Sequence, residues 1–434
     1  PNIGQQETTL HFPDGPVKLP FPSDTTATHN ATHYAYVVKG AGGPQGALML
    51  GAIGGDPAEV VMEVTPRQSI GGATFLKHWL LWSLSDNLRP RIFALDLRAE
   101  AGAPVEIDLP EPSDSAFFGF FNALSHQDET LQLNLQGYLQ SPRTYLFDLE
   151  DGPGAITWSE LWREPEVFDA SGMHVQILDA KSDDGTAVPY HLVLPDGAPA
   201  DVPILLYGYG GFNVSLPPFY SPVLGALWLG KGYGYAVAHI RGGGEFGPAW
   251  HDAAKRERRH KAFEDFAAIA SDLVARGLTV PARVACNGGS NGGLLTGVML
   301  TRYPERFGAV WTTVGVHDML GFHEFPAGRA WIDEYGDPDQ PEDAAWLCAY
   351  SPLHNVAPVS ETGYPPCLVE TSDFDDRVDP SHSRRFAARL VEAGQNAHFV
   401  EHKGGHGGSS SIQDRARTTC LGYSFLRHAM GMST

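Results

Sequence analysis

The stretch Ala285-Cys286-Asn287-Gly288-Gly289-Ser290-Asn291-Gly292-Gly293-Leu294-Leu295 decides how this chain is read. An apolar strand is expected over 282–286 and a helix over 294–303, with glycines on both sides of one serine between them. Gly-x-Ser-x-Gly in a strand–turn–helix setting is the pattern of a nucleophile elbow, in which the serine occupies a strained turn. Residues without a side chain let strand and helix approach closely. The start of the helix then offers backbone N–H groups to a developing oxyanion. The pattern alone also fits an ordinary glycine-rich turn, so its weight depends on the rest of the chain.

Outward from the elbow, strands and helices alternate. Strands are expected over 202–207, 233–240, 307–311, 367–370 and 397–401, and helices over 261–276 and 383–393. Such alternation implies a mostly parallel sheet flanked by helices. An activated serine needs a base, and the base needs an orienting acid. On this fold the acid and then the base follow the serine. The strand at 367–370 runs into Asp373-Phe374-Asp375-Asp376, past a strand's C-terminal end, where such folds build their sites. The strand at 397–401 runs into His402-Lys403-Gly404-Gly405-His406-Gly407. His406, between glycines on a loop, is the natural base, and His402 reads as a strand-end surface residue. The early strand at 202–207 ends in Gly208-Tyr209-Gly210-Gly211-Phe212-Asn213, where a second oxyanion donor belongs and where the Tyr209 hydroxyl can supply it. Gly242-Gly243-Gly244-Glu245-Phe246-Gly247 also fits Gly-x-Gly-x-x-Gly, with Glu264 and Asp265 beyond it. The charged run 250–260 interrupts any compact strand–helix–strand unit there, so a structural turn is expected and not a nicotinamide site.

Residues 1–160 read differently. Short apolar or alternating runs at 33–38, 79–84, 91–97, 131–135 and 144–149 are separated by turn clusters at 39–44 and 151–154. That spacing indicates an all-β region of sandwich, barrel or propeller type.

Composition bounds the function. The chain has 434 residues, 42% of them apolar and 19% charged, which is globular and suggests two or three domains. Its net charge of −21 argues against nucleic acid as a partner. No apolar run is long enough to span a membrane. Cys286, Cys348, Cys367 and Cys420 show no zinc or redox spacing and are expected to be buried thiols in a reducing compartment, with one disulfide left open. The chain starts Pro1-Asn2-Ile3-Gly4, with neither an initiator Met nor a visible leader.

The phrases LYGYGGFN (206–213), IRGGGEFG (240–247), NGGSNGGLL (287–295), AWIDEYG (330–336), YSPLHNV (350–356), DDRV (375–378) and GHG (405–407) run collinearly through the second half. Together they resemble the prolyl oligopeptidase family of serine peptidases. The resemblance implies an α/β-hydrolase catalytic domain over 161–434, preceded by β-propeller blades over 1–160. It implies Ser290 as nucleophile, His406 as general base and Asp375 as orienting acid. The Asn291 N–H and the Tyr209 hydroxyl would form the oxyanion hole. Trp331 would stack on a substrate proline, with Phe212, Tyr335 and Val378 lining the pocket and Arg377 holding a substrate carbonyl. No metal or cofactor is implied. The expected substrates are short proline-containing peptides, cut on the carboxyl side of proline, and the expected compartment is the cytoplasm, with the periplasm as alternative. The alternatives are an oligopeptidase B-like enzyme, an aminoacyl-peptidase or an esterase and, in another class, a catalytically idle binding module. Blades of roughly 40–50 residues leave room for about three or four in 160 residues, where the family has seven. The β region is thus read as an incomplete propeller, with the missing N-terminal part as a candidate partner. The acids Asp333 and Glu334 are expected at the rim of the pocket.

Overall fold

The computed structural model describes residues 9–12, 15–18, 27–38, 44–99, 102–110, 116–118, 122–123 and 128–432. Residues 1–4 and 39–43, read above, lie outside the described residues. The chain forms two compact units, 1–166 with 217–220 and 245–249, and 167–216 with 221–244 and 250–434.

The first unit contains antiparallel meanders of the propeller-blade type. One sheet holds Ala27–His29, His33–Val37, Leu48–Ala52 and Glu59–Met62. A second holds Gln68–Phe75, Trp79–Asp86, Arg89–Asp96 and Val105–Ile107. A third is built on Thr130–Gly137, Arg143–Asp148 and Ser159–Arg163. Period-two alternation gives the middle sheet two buried faces. Leu80, Trp82, Leu84, Phe93 and Leu95 pack with Ala35 and Leu48 of the first sheet. Trp79, Leu81, Ile92 and Ala94 pack with Leu131, Leu133, Tyr145 and Phe147 of the third.

The second unit is an eight-stranded sheet with helices. Its strands are β1 (Met173–Lys181), β2 (Ala187–Pro195), β3 (Ile204–Gly208), β4 (Gly234–Ala238), β5 (Val284–Gly289), β6 (Ala309–Thr313), β7 (Cys367–Ser372) and β8 (Ala397–His402). The spatial order is β1-β2-β4-β3-β5-β6-β7-β8. From β4 to β8 all neighbours are parallel, while β2 runs antiparallel to both β1 and β4. This is the α/β-hydrolase class of fold. The parallel strands Ile204-Leu205-Leu206, Val284-Ala285-Cys286 and Cys367-Leu368-Val369 are buried on both sides, as their unbroken apolar runs require. The main helices are α1 (His260–Ala275), α2 (Asn291–Arg302), α3 (Ser381–Glu392) and α4 (Ile412–Ala429). Cys286 and Cys367 are buried, but Cys348 and Cys420 are exposed, against expectation, and all four are free thiols. Among the described residues no helix is long and apolar enough to cross a membrane.

The elbow is tighter than its sequence indicates. β5 continues through Gly288 and Gly289, which pair with Thr312 and Thr313, and α2 starts immediately after Ser290. One residue therefore makes the whole reversal. Ser290 has φ 60° and ψ −118°, a conformation that disfavours residues with a Cβ. Its N–H donates to the Thr313 carbonyl at 2.9 Å, and its own carbonyl accepts from Gly293 N at 2.9 Å. A Cβ at Gly288 would lie 2.4 Å from the Gly292 carbonyl oxygen, and one at Gly293 would lie 2.4 Å from Gly315 Cα.

Two buried histidines bear on acid stability. His382 Nδ1 accepts the Asp318 N–H at 3.1 Å, which requires a neutral ring. Burial pushes its pKa down to about 4, against the opposing pull of Asp318 and Asp379, and burial pushes His317 down to about 3. Both rings gain a proton more readily when unfolded, so their stabilisation is present above about pH 6.5 and is lost as pH falls towards those values. The unfolding free energy of the wild type, read from urea titrations, should fall from pH 7 to pH 4.5, by at most about 1.4 kcal/mol per pH unit for each ring. His382→Gln should show a shallower fall, and an identical slope would refute the assignment. The elbow gives a second expectation. Glycine ordinarily costs about 0.5–1 kcal/mol relative to alanine, but a strained positive-φ residue costs about 1–3 kcal/mol. Ser290→Gly should therefore be more stable than Ser290→Ala by about 1 kcal/mol, and the usual order would mean an unstrained elbow.

Candidate active site

The C-terminal ends of β3, β5, β7 and β8 carry Tyr209, Ser290, Asp375 and His406, while Trp331 and Tyr335 lie on short helical turns after β6. Asp375 follows β7 and is 6% exposed. One of its oxygens, Oδ1, accepts from the N–H groups of Arg377, at 3.0 Å, and Val378, at 2.9 Å. His406, on the glycine-bounded loop after β8, has Nδ1 at 2.9 Å from Asp375 Oδ1 and 2.8 Å from Oδ2. An ionised carboxylate only accepts, so Nδ1 carries the proton and Nε2 is the basic nitrogen. His406 and Ser290 share the wall of a cavity of about 350 Å³.

Tyr209 lies just past β3, beside the start of α2 that follows Ser290. Burial raises its pKa, against the opposing influence of the Ser290 side chain and of the Arg377 and Arg259 charges, so at neutral pH the phenol is an O–H donor. Asn291 is the first residue of α2, where main-chain N–H groups have no intrahelical partner. Its side chain is 1% exposed. The amide Nδ2 donates to the Tyr209 carbonyl at 2.5 Å, and Oδ1 accepts from the Tyr335 hydroxyl at 2.9 Å.

The aromatic residues form a chain. Phe212 meets Tyr335 edge-on with centroids 5.4 Å apart, Tyr335 meets Phe322 at 5.4 Å, and Phe322 stacks on Trp331 at 6.3 Å. Val378 is buried in the same apolar cluster. Arg377 is exposed.

Two readings of the sequence are corrected. Glu334 is not at the rim. It is 5% exposed, and its carboxylate accepts from Phe212 N at 2.9 Å, His251 Nε2 at 2.7 Å and Arg259 at 2.8 Å. Burial opposes its ionisation, but these partners together hold its pKa below the usual carboxylate range. Asp333 is exposed but pairs with Lys255 at 2.7 Å. His402 is not a surface residue either. Half-buried on the cavity wall, it donates from Nε2 to Glu370 at 3.1 Å, a bond that raises its pKa against the effect of burial. Asp265 has a structural part, in line with the reading of a structural turn there: it is fully buried and receives the Arg241 N–H, Nε and guanidinium at 3.0, 2.9 and 2.6 Å. Sequence reasoning missed Phe322, Arg259 and His251. Only the charge complementarity between the runs 251–259 and 333–343 signalled the last two.

Residues 223–433 match the model of the prolyl oligopeptidase family. The chain is 39% identical over 380 residues to an uncharacterised peptidase of Sinorhizobium fredii, covering 86% of this chain and 51% of that protein. It is 36% identical over 335 residues to the prolyl endopeptidase of Elizabethkingia miricola, covering 75% of this chain and 46% of that protein. Among solved structures, a post-proline cleaving enzyme of Rickettsia typhi superposes with a TM-score of 0.87 at 29% identity, covering 96% of this chain and 62% of that one. The chain thus spans about half the length of the curated relatives that it matches. Residues 223–433, which carry the elbow and the acid–base pair, thus place the catalytic half of this chain in the prolyl oligopeptidase family of serine peptidases.

Proposed function

We propose that this chain hydrolyses short peptides on the carboxyl side of proline through an acyl-enzyme intermediate. The observation that carries the reading is a serine in a strained elbow, on the cavity wall that it shares with a histidine held by Asp375. In this reading Ser290 Oγ attacks the carbonyl carbon of the proline while its proton passes to His406 Nε2. The Asp375 carboxylate keeps the proton on Nδ1 and stabilises the imidazolium. The negative oxygen of the tetrahedral intermediate accepts from Tyr209 O–H and Asn291 N–H. His406 then gives its proton to the leaving amine as the C–N bond breaks. Water repeats the sequence on the ester, releasing the acid and restoring Ser290. No step needs a metal or cofactor.

Proline has no N–H to recognise, so selectivity rests on shape and apolar area. A flat indole such as Trp331 gives a pyrrolidine ring that area at little entropic cost. The names of the prolyl endopeptidase and the post-proline cleaving enzyme above support this specificity. Arg377, exposed beyond Asp375, is suited to hold a carbonyl preceding the proline.

The test is a pair of fluorogenic peptides that differ only in Pro or Ala before the reporter, each with and without a serine-reactive phosphonate. Inhibitor-sensitive preference for Pro is expected. Turnover of simple esters with no response to proline would instead favour an esterase. Trp331→Ala should erode the Pro-over-Ala ratio by about tenfold with little change in melting temperature, as expected for about 1–2 kcal/mol of ring contact. Equal losses on both peptides would refute the stacking role.

A further inference from the structure

The charged run 250–260 looks in sequence like a solvated surface segment. In the structure it is fastened to the segment that carries Trp331 and Tyr335. Lys255 pairs with Asp333 at 2.7 Å, Arg256 with Asp343 at 2.8 Å, His251 with Glu334 at 2.7 Å and Arg259 with Glu334 at 2.8 Å. Arg259 stands apart from the others because its side chain is 1% exposed.

A cation there is unfavourable on two counts. Removing a guanidinium from water costs several kcal/mol, and an apolar side chain of similar volume is often at least as stable. Arg259 also precedes the first residue of α1, the end of a helix that repels positive charge. Stability alone does not select arginine at this place.

Its hydrogen bonds indicate what does. One terminal nitrogen donates to Glu334 and the other donates to Asn291 Oδ1. A guanidinium has donors and no acceptor, so the Asn291 atom facing it must be the amide oxygen. The amide nitrogen is thereby turned to the Tyr209 carbonyl. A neutral, apolar residue at 259 would remove the stronger of the two donors that fix this orientation, leaving only the Tyr335 hydroxyl. Arg259 thus locks a clamp between the two residues proposed to donate to the oxyanion, Asn291 through its main-chain N–H and Tyr209 through its hydroxyl. Glu334 balances the charge and, through the Phe212 N–H, ties the same network to the aromatic pocket. The backbone is shaped to admit it: a Cβ at Gly211 would lie 2.7 Å from both the Arg259 guanidinium and Asn291 Nδ2.

We propose that Arg259 is a positioning residue for the oxyanion hole, acting through the Asn291 side chain on Tyr209. The proposal rests on the serine-peptidase reading of the site. An oxyanion donor contributes only at about 2.7–3.1 Å from the charged oxygen, so a loosened clamp lowers the rate of attack more than substrate affinity.

The test uses the full chain and reads the rate at which a fluorophosphonate labels Ser290, together with kcat and KM on the prolyl peptide. In the labelling step the serine oxygen displaces fluoride at phosphorus, its proton passes to His406, and the phosphoryl oxygen occupies the oxyanion hole. Arg259→Met should slow labelling and kcat by about tenfold to a hundredfold, less than or similar to the loss of a whole donor, with KM changed by less than about threefold. Arg259→Lys should recover part of the loss. Tyr209→Phe should be coupled to it, the double variant being within about threefold of Tyr209→Phe alone. Losses that multiply, or a folded Arg259→Met that labels at the wild-type rate, would overturn the proposal. If Arg259→Met does not fold, Asn291→Ala removes the clamp while keeping the main-chain N–H and the Arg259–Glu334 pair, and the same coupling to Tyr209→Phe decides. A wild type that labels but shows no preference for proline would defeat the substrate reading and leave this test in force. A wild type that does not label would defeat both.

Discussion

The close approach of β5, α2 and the end of β3 governs everything that follows in the second unit. Main chain meets main chain there with no room for a methyl group: a Cβ at Gly292 would lie 2.6 Å from the Gly208 carbonyl oxygen. That contact forces the reversal into one residue, which sets Ser290 at φ 60°. It also places the first N–H of α2 and the residue after Gly208 side by side. The proposed oxyanion hole is thus a by-product of glycine packing, and the catalytic reading of the site depends on that packing before it depends on any acid or base.

The parts of this site that are visible in sequence are those whose chemistry is local. Glycine-serine-glycine between a strand and a helix states its own geometry, and His406 between glycines on a post-strand loop is nearly as explicit. The parallel strands are equally plain, because a strand buried on both faces is written as an unbroken apolar run. What escaped notice depends on partners far away in the chain. The charge on Glu334 reads as a rim charge until Arg259 and His251, 75 and 83 residues away, are seen against it. Phe322 is one apolar residue among many until it stands between Tyr335 and Trp331. β1 has a mixed pattern of half-buried residues that gives no clean alternation. α4 buries only Gly422 and Leu426 among its eighteen residues, so its apolar stripe is faint. Gly422 is required there by the Trp311 indole, a tertiary demand that no local pattern announces.

The two halves of the site are electrostatically different. The acid–base pair is compact, with Asp375 held by two amides and one imidazole. The proposed oxyanion side is extended: amide, guanidinium, carboxylate and imidazole alternate from Asn291 through Arg259 and Glu334 to His251. An alternating chain of this kind is well satisfied when complete and poorly satisfied when any member is removed. The aromatic chain shares the carboxylate with it through the Phe212 N–H, so the proposed recognition and charge stabilisation would draw on one set of contacts.

The middle sheet of the first unit, with a separate apolar cluster on each face, has a different consequence. Its interior is satisfied entirely by the sheets immediately beside it. In such a stack the free energy is close to a sum of nearest-neighbour terms, as in a one-dimensional lattice. An interior sheet does not register how many others lie further along, so sheet number can drift between relatives without any interior position being rewritten. The second unit has no such freedom, since its strand order interleaves distant parts of the chain. Divergence in length is therefore physically easy in the first unit and hard in the second.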